Sequence, residues 1–262
     1  MGSRRIKIKA LFVFTALLAA SVACAEEPVE TRLLIGDRQD GGDLLQAGIS
    51  ISLEPGWKTY WKNPGESGLP PRLDWSGSEN VATITTLWPV PQRFKEHGAI
   101  FYGYTARVVW PVEVRVKDPT RHVKLRLTMD YAVCATLCVP KQARFDRDIL
   151  PAYKSAAFDA ALIGSYKARV PVADGSVTAQ VEPVSRDAEA ALRVRLTLPP
   201  DSGEVTVLVD DPQGKLGVPQ QEASGGHSYL IPCHTNPCTM RDASLVVAFG
   251  NKAVEVPLNG AL

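Results

Sequence analysis

Two cysteines with three residues between them, Cys134 and Cys138, close an alternating apolar stretch, Tyr131-Ala-Val-Cys134-Ala-Thr-Leu-Cys138-Val-Pro140. No other feature limits the local fold as strongly. Residues four apart in a straight strand are separated by about 13 Å, whereas a disulfide holds its Cα atoms within roughly 4.4–6.8 Å. A bonded pair therefore demands a turn or a helical kink between the two. Closing so short a loop gains about 2 kcal/mol of chain entropy, against about 4.7 for a loop of a hundred residues. A staple for stability would be better placed elsewhere, so the pair reads as redox-active; the bland reading is an inert hairpin disulfide.

The surrounding chain is β in character. Ile49-Ser-Ile-Ser-Leu53, Val112-Glu-Val-Arg-Val116 and Val123-Lys-Leu-Arg-Leu-Thr-Met129 alternate apolar and polar residues, the period-2 signature of half-buried strands. Turn-rich pieces, Asn63 to Pro71 and Ser76 to Asn80, separate them and suit a sandwich of antiparallel sheets over residues 26–151. Between Ser155 and Ala168 the period changes: Phe158, Leu162 and Tyr166 recur at helical spacing, and Pro171 ends the helix. Residues 152–171 are thus a helical linker. Beyond it, segments 177–181, 192–198, 205–209, 245–249 and 253–256 repeat the strand signature, which predicts a second sandwich over residues 172–262.

The amino terminus predicts export. Arg4, Arg5, Lys7 and Lys9 precede an uncharged run from Ala10 to Ala20, and Ala23-Cys24-Ala25 fits a cleavage site, so residues 1–25 read as a signal peptide. Acylation of Cys24 in a lipoprotein is the alternative. The signal segment holds four of the 29 basic residues and no acid, which leaves 25 basic against 28 acidic residues, a net charge of −3. That balance gives no footing for nucleic acid. No later stretch approaches the roughly 20 apolar residues of a membrane span. Four cysteines remain in two close pairs, and an even count in an oxidising compartment favours disulfides over an intracellular zinc site. The expected location is the periplasm.

Four motifs follow in order: Gly56-Trp-Lys-Thr-Tyr-Trp-Lys-Asn-Pro-Gly-Glu-Ser-Gly-Leu-Pro-Pro71, Leu87-Trp-Pro-Val-Pro-Gln-Arg-Phe94, Phe101-Tyr-Gly-Tyr104 and Val133-Cys-Ala-Thr-Leu-Cys-Val-Pro140. With them, residues 30–170 resemble the periplasmic amino-terminal domain of the thiol:disulfide interchange protein DsbD, and more closely that of ScsB-type proteins linked to copper tolerance. The resemblance implies immunoglobulin-like domains, so the expected fold class is all-β, two immunoglobulin-like β-sandwich domains joined by a short helical linker. It also implies electron transfer from a membrane or thioredoxin-like partner to periplasmic disulfide-bearing proteins. The family's exchanging cysteines fall on Cys134 and Cys138, although DsbD itself spaces them more widely. Its aromatic cap falls on Phe101 and Tyr102, and Tyr60 corresponds to a site-lining aromatic. Ala99 and Ile100 stand where DsbD carries acids before the Phe. A membrane segment and a thioredoxin-like domain follow in those proteins, so this chain would act as a detached shuttle.

Thiol–disulfide exchange needs two nearby cysteines and no cofactor or metal. Cys134 has no Lys, Arg or His beside it in sequence to favour a thiolate, and Lys141 and Arg144 lie downstream on a strand. The second pair, Cys233-His-Thr-Asn-Pro-Cys238, suits a structural disulfide at a tight turn. His234 keeps a second redox station open. A copper site with His234, His227 or Met240 is the third reading. The competing function class is a non-enzymatic binding module, a disulfide-stapled pair of sandwiches recognising a protein partner or copper. Trp57, Trp61, Trp75, Trp88 and Trp110 read as core or sheet-packing residues.

Overall fold

The computed structural model describes residues 27–258, apart from 187–188 and 224–225. The expected signal peptide and Cys24 lie outside the described residues. Strands β1 (Val29–Gln39), β2 (Leu44–Leu53), β3 (Lys58–Gly65), β4 (Arg72–Asp74) and β5 (Val81–Thr86) open the chain. They are followed by β6 (Gln92–Glu96), β7 (Ala99–Thr105), β8 (Arg107–Val116), β9 (Val123–Cys134) and β10 (Cys138–Ile149). These ten strands build two antiparallel sheets, ordered β1-β2-β8-β5 and β10-β9-β3-β7-β6, with β4 pairing on β9.

Alternation decides which side chains enter the sandwich. On β9 the odd-numbered residues Val123, Leu125, Leu127, Met129, Tyr131 and Val133 are buried in the core, and on β3 Trp61 joins them. Trp61 and Trp110 are the largest fully buried side chains, while Trp57, Trp75 and Trp88 pack against the same core. Each fully buried side chain of this size contributes on the order of 2 kcal/mol, so the inward face sets the register.

The segment Ile49 to Leu53 departs from the half-buried expectation. Almost all of β2 is buried, Gln46 and Ser50 included. The cause is helix α1 (Ala157–Lys167), which covers the outer face of this sheet. Its buried residue is Ile163, packed with Leu34 and Val109, whereas Phe158 is exposed. The apolar stripe is thus displaced from Phe158 towards Ile163. A Cβ on Gly48 would stand 3.0 Å from Ile163 Cγ1 and 2.8 Å from Val109, so bare backbone at this position makes the seat for Ile163. Tyr166 Oη donates to the Arg107 carbonyl at 2.6 Å and ties the end of the helix to β8.

After the helix, β11 (Thr178–Arg186), β12 (Glu189–Thr197), β13 (Val205–Asp210), β14 (Gln220–Gln221), β15 (Ser228–Pro232), β16 (Ser244–Phe249) and β17 (Lys252–Pro257) form two smaller sheets, β11-β12-β15-β14 and β13-β16-β17. Their own core includes Leu192, Val194, Ile231, Leu245 and Val247. The two sandwiches share apolar contacts, because Leu208, Val218 and Val246 join the first core. Buried Asp210 accepts from the Asn63 side-chain amide at 2.8 Å and pairs with Lys62. The first sandwich is therefore fastened to the second at the end of β3.

Two stability outcomes follow from this packing. Ile163→Ala should lose about 2–4 kcal/mol, since it empties a closed seat between helix and sheet. Asp210→Ala should lose about 1–3 kcal/mol by leaving Lys62 and Asn63 without their acceptor. Chemical denaturation measures both; an Asp210→Ala protein as stable as the parent would show that the polar fastening contributes nothing beyond the shared apolar contact.

Candidate functional site

The β9–β10 hairpin turns through Ala135, Thr136 and Leu137, and Cys134 and Cys138 are register partners across it. They form a disulfide with Cα atoms 4.1 Å apart, slightly closer than the usual range, where the hairpin brings the two residues face to face. Both lie on the even-numbered, outward parity of the strands. The two cysteines are not equivalent: Cys134 is buried, with 6% of its surface exposed, while Cys138 is exposed. Leu137, at the tip of the hairpin, is 77% exposed, and Val139 is also open to solvent.

Cys134 belongs to a small apolar cluster on the outer face of the sheet, separate from the main core, with Tyr60, Phe101 and Ala132, and with Phe94 packed against it. Tyr60 reaches the site because β3 alternates: Thr59 points inward, donating its hydroxyl to the Ala132 carbonyl at 2.9 Å, and Tyr60 points outward. The Tyr60 hydroxyl lies 3.1 Å from Cys134 Sγ and 3.3 Å from Cys138 Sγ. Neither sulfur of a disulfide carries a proton, so Tyr60 is the donor, with one O–H between two acceptors. Burial, and then the negative charge of Glu96, push the Tyr60 hydroxyl above its ordinary range, so it remains a donor throughout the neutral pH range.

Aromatic rings and bare backbone enclose this tyrosine. Phe101 meets the Tyr60 ring edge-on at 5.7 Å and stacks on Phe94 at 5.0 Å. On the other side runs the segment after β3, where a Cβ on Gly68 would stand 2.5 Å from the Tyr60 ring; its φ of +123° also suits glycine. Gly103 of β7 has a similar role, since a Cβ there would stand 2.2 Å from the Thr59 carbonyl oxygen. Only glycine lets β7 close against β3 at this level.

The structure brings Cys134, Cys138, Tyr60 and Phe101 together. Tyr102 is not among them. The alternation of β7 turns it to the opposite face, where it meets Trp61 edge-on at 6.2 Å and lines a cavity of about 630 Å³ between the sandwiches, together with Lys62, Pro212 and His234. Burial raises its hydroxyl to about 12. Lys141 is likewise distant from the sulfurs, opposite Tyr131 and paired with Glu27.

Three neighbours of the site do not stand out in the sequence. Lys58 is the register partner of Cys134 on β3. It forms an ion pair with Glu96, and its ammonium lies 5.4 Å from the Phe94 ring centroid and 5.5 Å from that of Phe101. Parity puts Lys58 on the face of Tyr60 and Glu96 on that of Phe94, but it does not say that these strands adjoin each other or Cys134.

Cys233 and Cys238 form the second disulfide, with Cα atoms 5.5 Å apart and the Asn236–Pro237 peptide cis between them. Both are half-buried against the second core with Met240. The Cys233 amide donates to the Ala190 carbonyl at 2.9 Å and the His234 amide to the Lys215 carbonyl at 2.7 Å, so the loop is anchored by its backbone. Among the described residues, no three His, Cys, Asp or Glu side chains converge as metal ligands.

Comparison with known proteins agrees with the geometry. The family model of the amino-terminal domain of the thiol:disulfide interchange protein DsbD matches residues 32–149. The crystal structure of the N-terminal periplasmic domain of ScsB from Proteus mirabilis is similar at 25% identity and a TM-score of 0.68, over 88% of this chain and 92% of that one. No curated protein matches. Residues 32–149, with their disulfide-forming cysteine pair, therefore match the amino-terminal domain of the DsbD family, and the chain is similar in fold to the periplasmic domain of ScsB.

Proposed function

We propose that this chain is a periplasmic thiol–disulfide exchange protein, carrying electrons between a membrane or thioredoxin-like partner and periplasmic disulfide-bearing proteins through Cys134 and Cys138. One observation carries the reading above all: the disulfide joins one exposed and one buried cysteine, with a tyrosine hydroxyl against both sulfurs. A stapling disulfide has no use for such an asymmetry. The periplasmic assignment rests on the expected signal peptide and on the periplasmic origin of the similar ScsB domain.

The asymmetry orders the chemistry. A partner thiolate attacks the exposed Cys138 sulfur, a bond forms between the two, and the Cys134–Cys138 bond breaks with its electron pair on Cys134. The product is a mixed disulfide on Cys138 and a thiolate at Cys134, where the Tyr60 O–H points. A second partner thiolate then attacks the partner's sulfur of the mixed disulfide and releases Cys138. The partner leaves oxidised, and the dithiol formed here carries two electrons, with protons taken up from solvent or from the partner's thiols. Reaction with an oxidised substrate runs the same steps in reverse. The exposed Leu137, next to Cys138 at the tip of the hairpin, offers a docking partner an apolar edge. The second disulfide, in this reading, holds the loop from Cys233 to Cys238 against the second core.

Four outcomes test the proposal. In a glutathione redox series, the Cys134–Cys138 pair should equilibrate at a potential above about −300 mV while Cys233–Cys238 stays oxidised. If only the second pair responds, the two roles are reversed. Cys138→Ser should abolish oxidation of reduced thioredoxin with little loss of stability, and retained turnover would exclude this pair as the carrier. Tyr60→Phe should slow disulfide opening about tenfold, the worth of one hydrogen bond to a developing thiolate. Because Tyr60 stays protonated, its loss should leave the pH profile between pH 6 and pH 8 unshifted. Phe101→Ala should speed attack by small thiols by uncovering Tyr60; an unchanged rate would show that the ring shields nothing.

A further inference from the structure

We infer that Lys58 is the charge partner of the buried cysteine, its ammonium held over the Phe94–Phe101 ring stack by Glu96 so as to stabilise the thiolate that Cys134 becomes on attack. The inference rests on the exchange reading above and adds a component to it. Directly opposed residues of an antiparallel pair share a face, with Cβ atoms about 4.5–5.5 Å apart. Lys58 and Cys134 are such a pair, between β3 and β9.

The lysine does not extend into solvent. Its side chain is only 14% exposed, and a nearly buried ammonium requires compensation. Two sources are present: the faces of Phe94 and Phe101, at 5.4 and 5.5 Å, and the Glu96 carboxylate. The two members of the ion pair differ in their setting, since the Glu96 side chain is 42% exposed. Water screens the carboxylate more than it screens the ammonium, so the interior of the cluster experiences the positive end of the pair.

Exchange creates a charge where the disulfide had none. A sulfur as buried as Cys134 carries a desolvation penalty as a thiolate, and the single Tyr60 O–H supplies a dipole rather than a charge. The ammonium on the adjacent strand supplies the charge. Other ionisable groups on this face are distant or engaged. On β9, Asp130 lies four residues from Cys134, opposite Arg72 of β4, and is bonded to Gln142 of β10. In the segment after β3, Glu66 accepts from the Ile100 amide at 2.7 Å. On the outward parity β7 presents Phe101, Gly103 and Thr105, which carry no charge. In the disulfide form Lys58 and Glu96 neutralise each other, so the resting site holds no net charge.

The test measures two quantities on the full chain. The first is the rate of disulfide opening by reduced glutathione as a function of pH. The second is the pH midpoint of Cys134 thiolate formation in a Cys138→Ser background, followed by ultraviolet absorbance. Lys58→Met should raise that midpoint by about one pH unit. It should also slow opening, because a leaving thiol of higher pKa departs more slowly. Lys58→Arg should restore both, and Glu96→Gln should move the midpoint down by freeing the ammonium. Should Lys58→Met fold poorly, the downward shift in Glu96→Gln decides alone, and its absence overturns the inference. An unchanged midpoint in well-folded Lys58→Met also overturns it, while loss of exchange in Cys134→Ser would leave the underlying reading standing. Exchange that survives Cys134→Ser would defeat both.

Discussion

The register of β9 governs the site. Cys134 lies between Cys138 on one neighbouring strand and Lys58 on the other, at the same level of the sheet. What holds it there is the opposite face of β9, where Val123, Leu125, Leu127, Met129, Tyr131 and Val133 fill the core. A slip of one residue would carry this whole set into solvent, at a cost on the order of 2 kcal/mol for each side chain. The hydrogen bonds of the site contribute about 1 kcal/mol each and could not hold the strand against such a loss. Core packing therefore dictates the register, and the position of the sulfurs follows from it.

Once β9 is fixed, the difference between the two sulfurs follows from topology. β10 is the last strand of its sheet and has a neighbour on one side only, so Cys138 is exposed, whereas Cys134 is covered by residues projecting from β3 and β7. In the proposed exchange, attack at Cys138 then makes Cys134 the leaving group without any conformational choice. Two glycines make the covering possible in opposite ways. Gly103 allows two strands to approach, and Gly68 allows an irregular segment to lie flat on the Tyr60 ring. Neither contributes a functional group, and a side chain at either would displace the tyrosine or the strand that carries it.

Much of this was legible in the sequence, for reasons that also explain the omissions. Period-2 alternation identified the strands because each buries one face, and the Cys134 to Cys138 spacing required a turn or a helical kink, of which the structure has the turn. The same rule was available for β7 and would have separated Phe101 from Tyr102, which a motif match had placed together. Local pattern failed where a third layer intrudes: β2 looks half-buried, but α1 covers its second face, and the helix seats Ile163 rather than Phe158 because Gly48 leaves room at that point. Lys58 and Glu96 were invisible for another reason. They meet each other across 38 positions of sequence, and Lys58 meets Cys134 only because β3 and β9 are neighbours. Strand order is set by three-dimensional closure, which periodicity does not report.

The same strand that serves the site also joins the two sandwiches, and this explains why the second lies so close to the chemistry. Along β3, Lys58 and Tyr60 face the disulfide, Thr59 and Trp61 face inward, and Lys62 and Asn63 reach Asp210 of β13. Directly after that fastening comes the segment from Glu66 to Pro71, whose Gly68 lies on the Tyr60 ring. The covering of Tyr60 thus starts from a point anchored in the second sandwich, and the apolar contacts of Leu208, Val218 and Val246 with the first core keep that anchor in place. The second sandwich bears on exchange through this route. Among the described residues it contributes no side chain to the outer cluster, but it fixes the end of the strand that carries Tyr60 and Lys58.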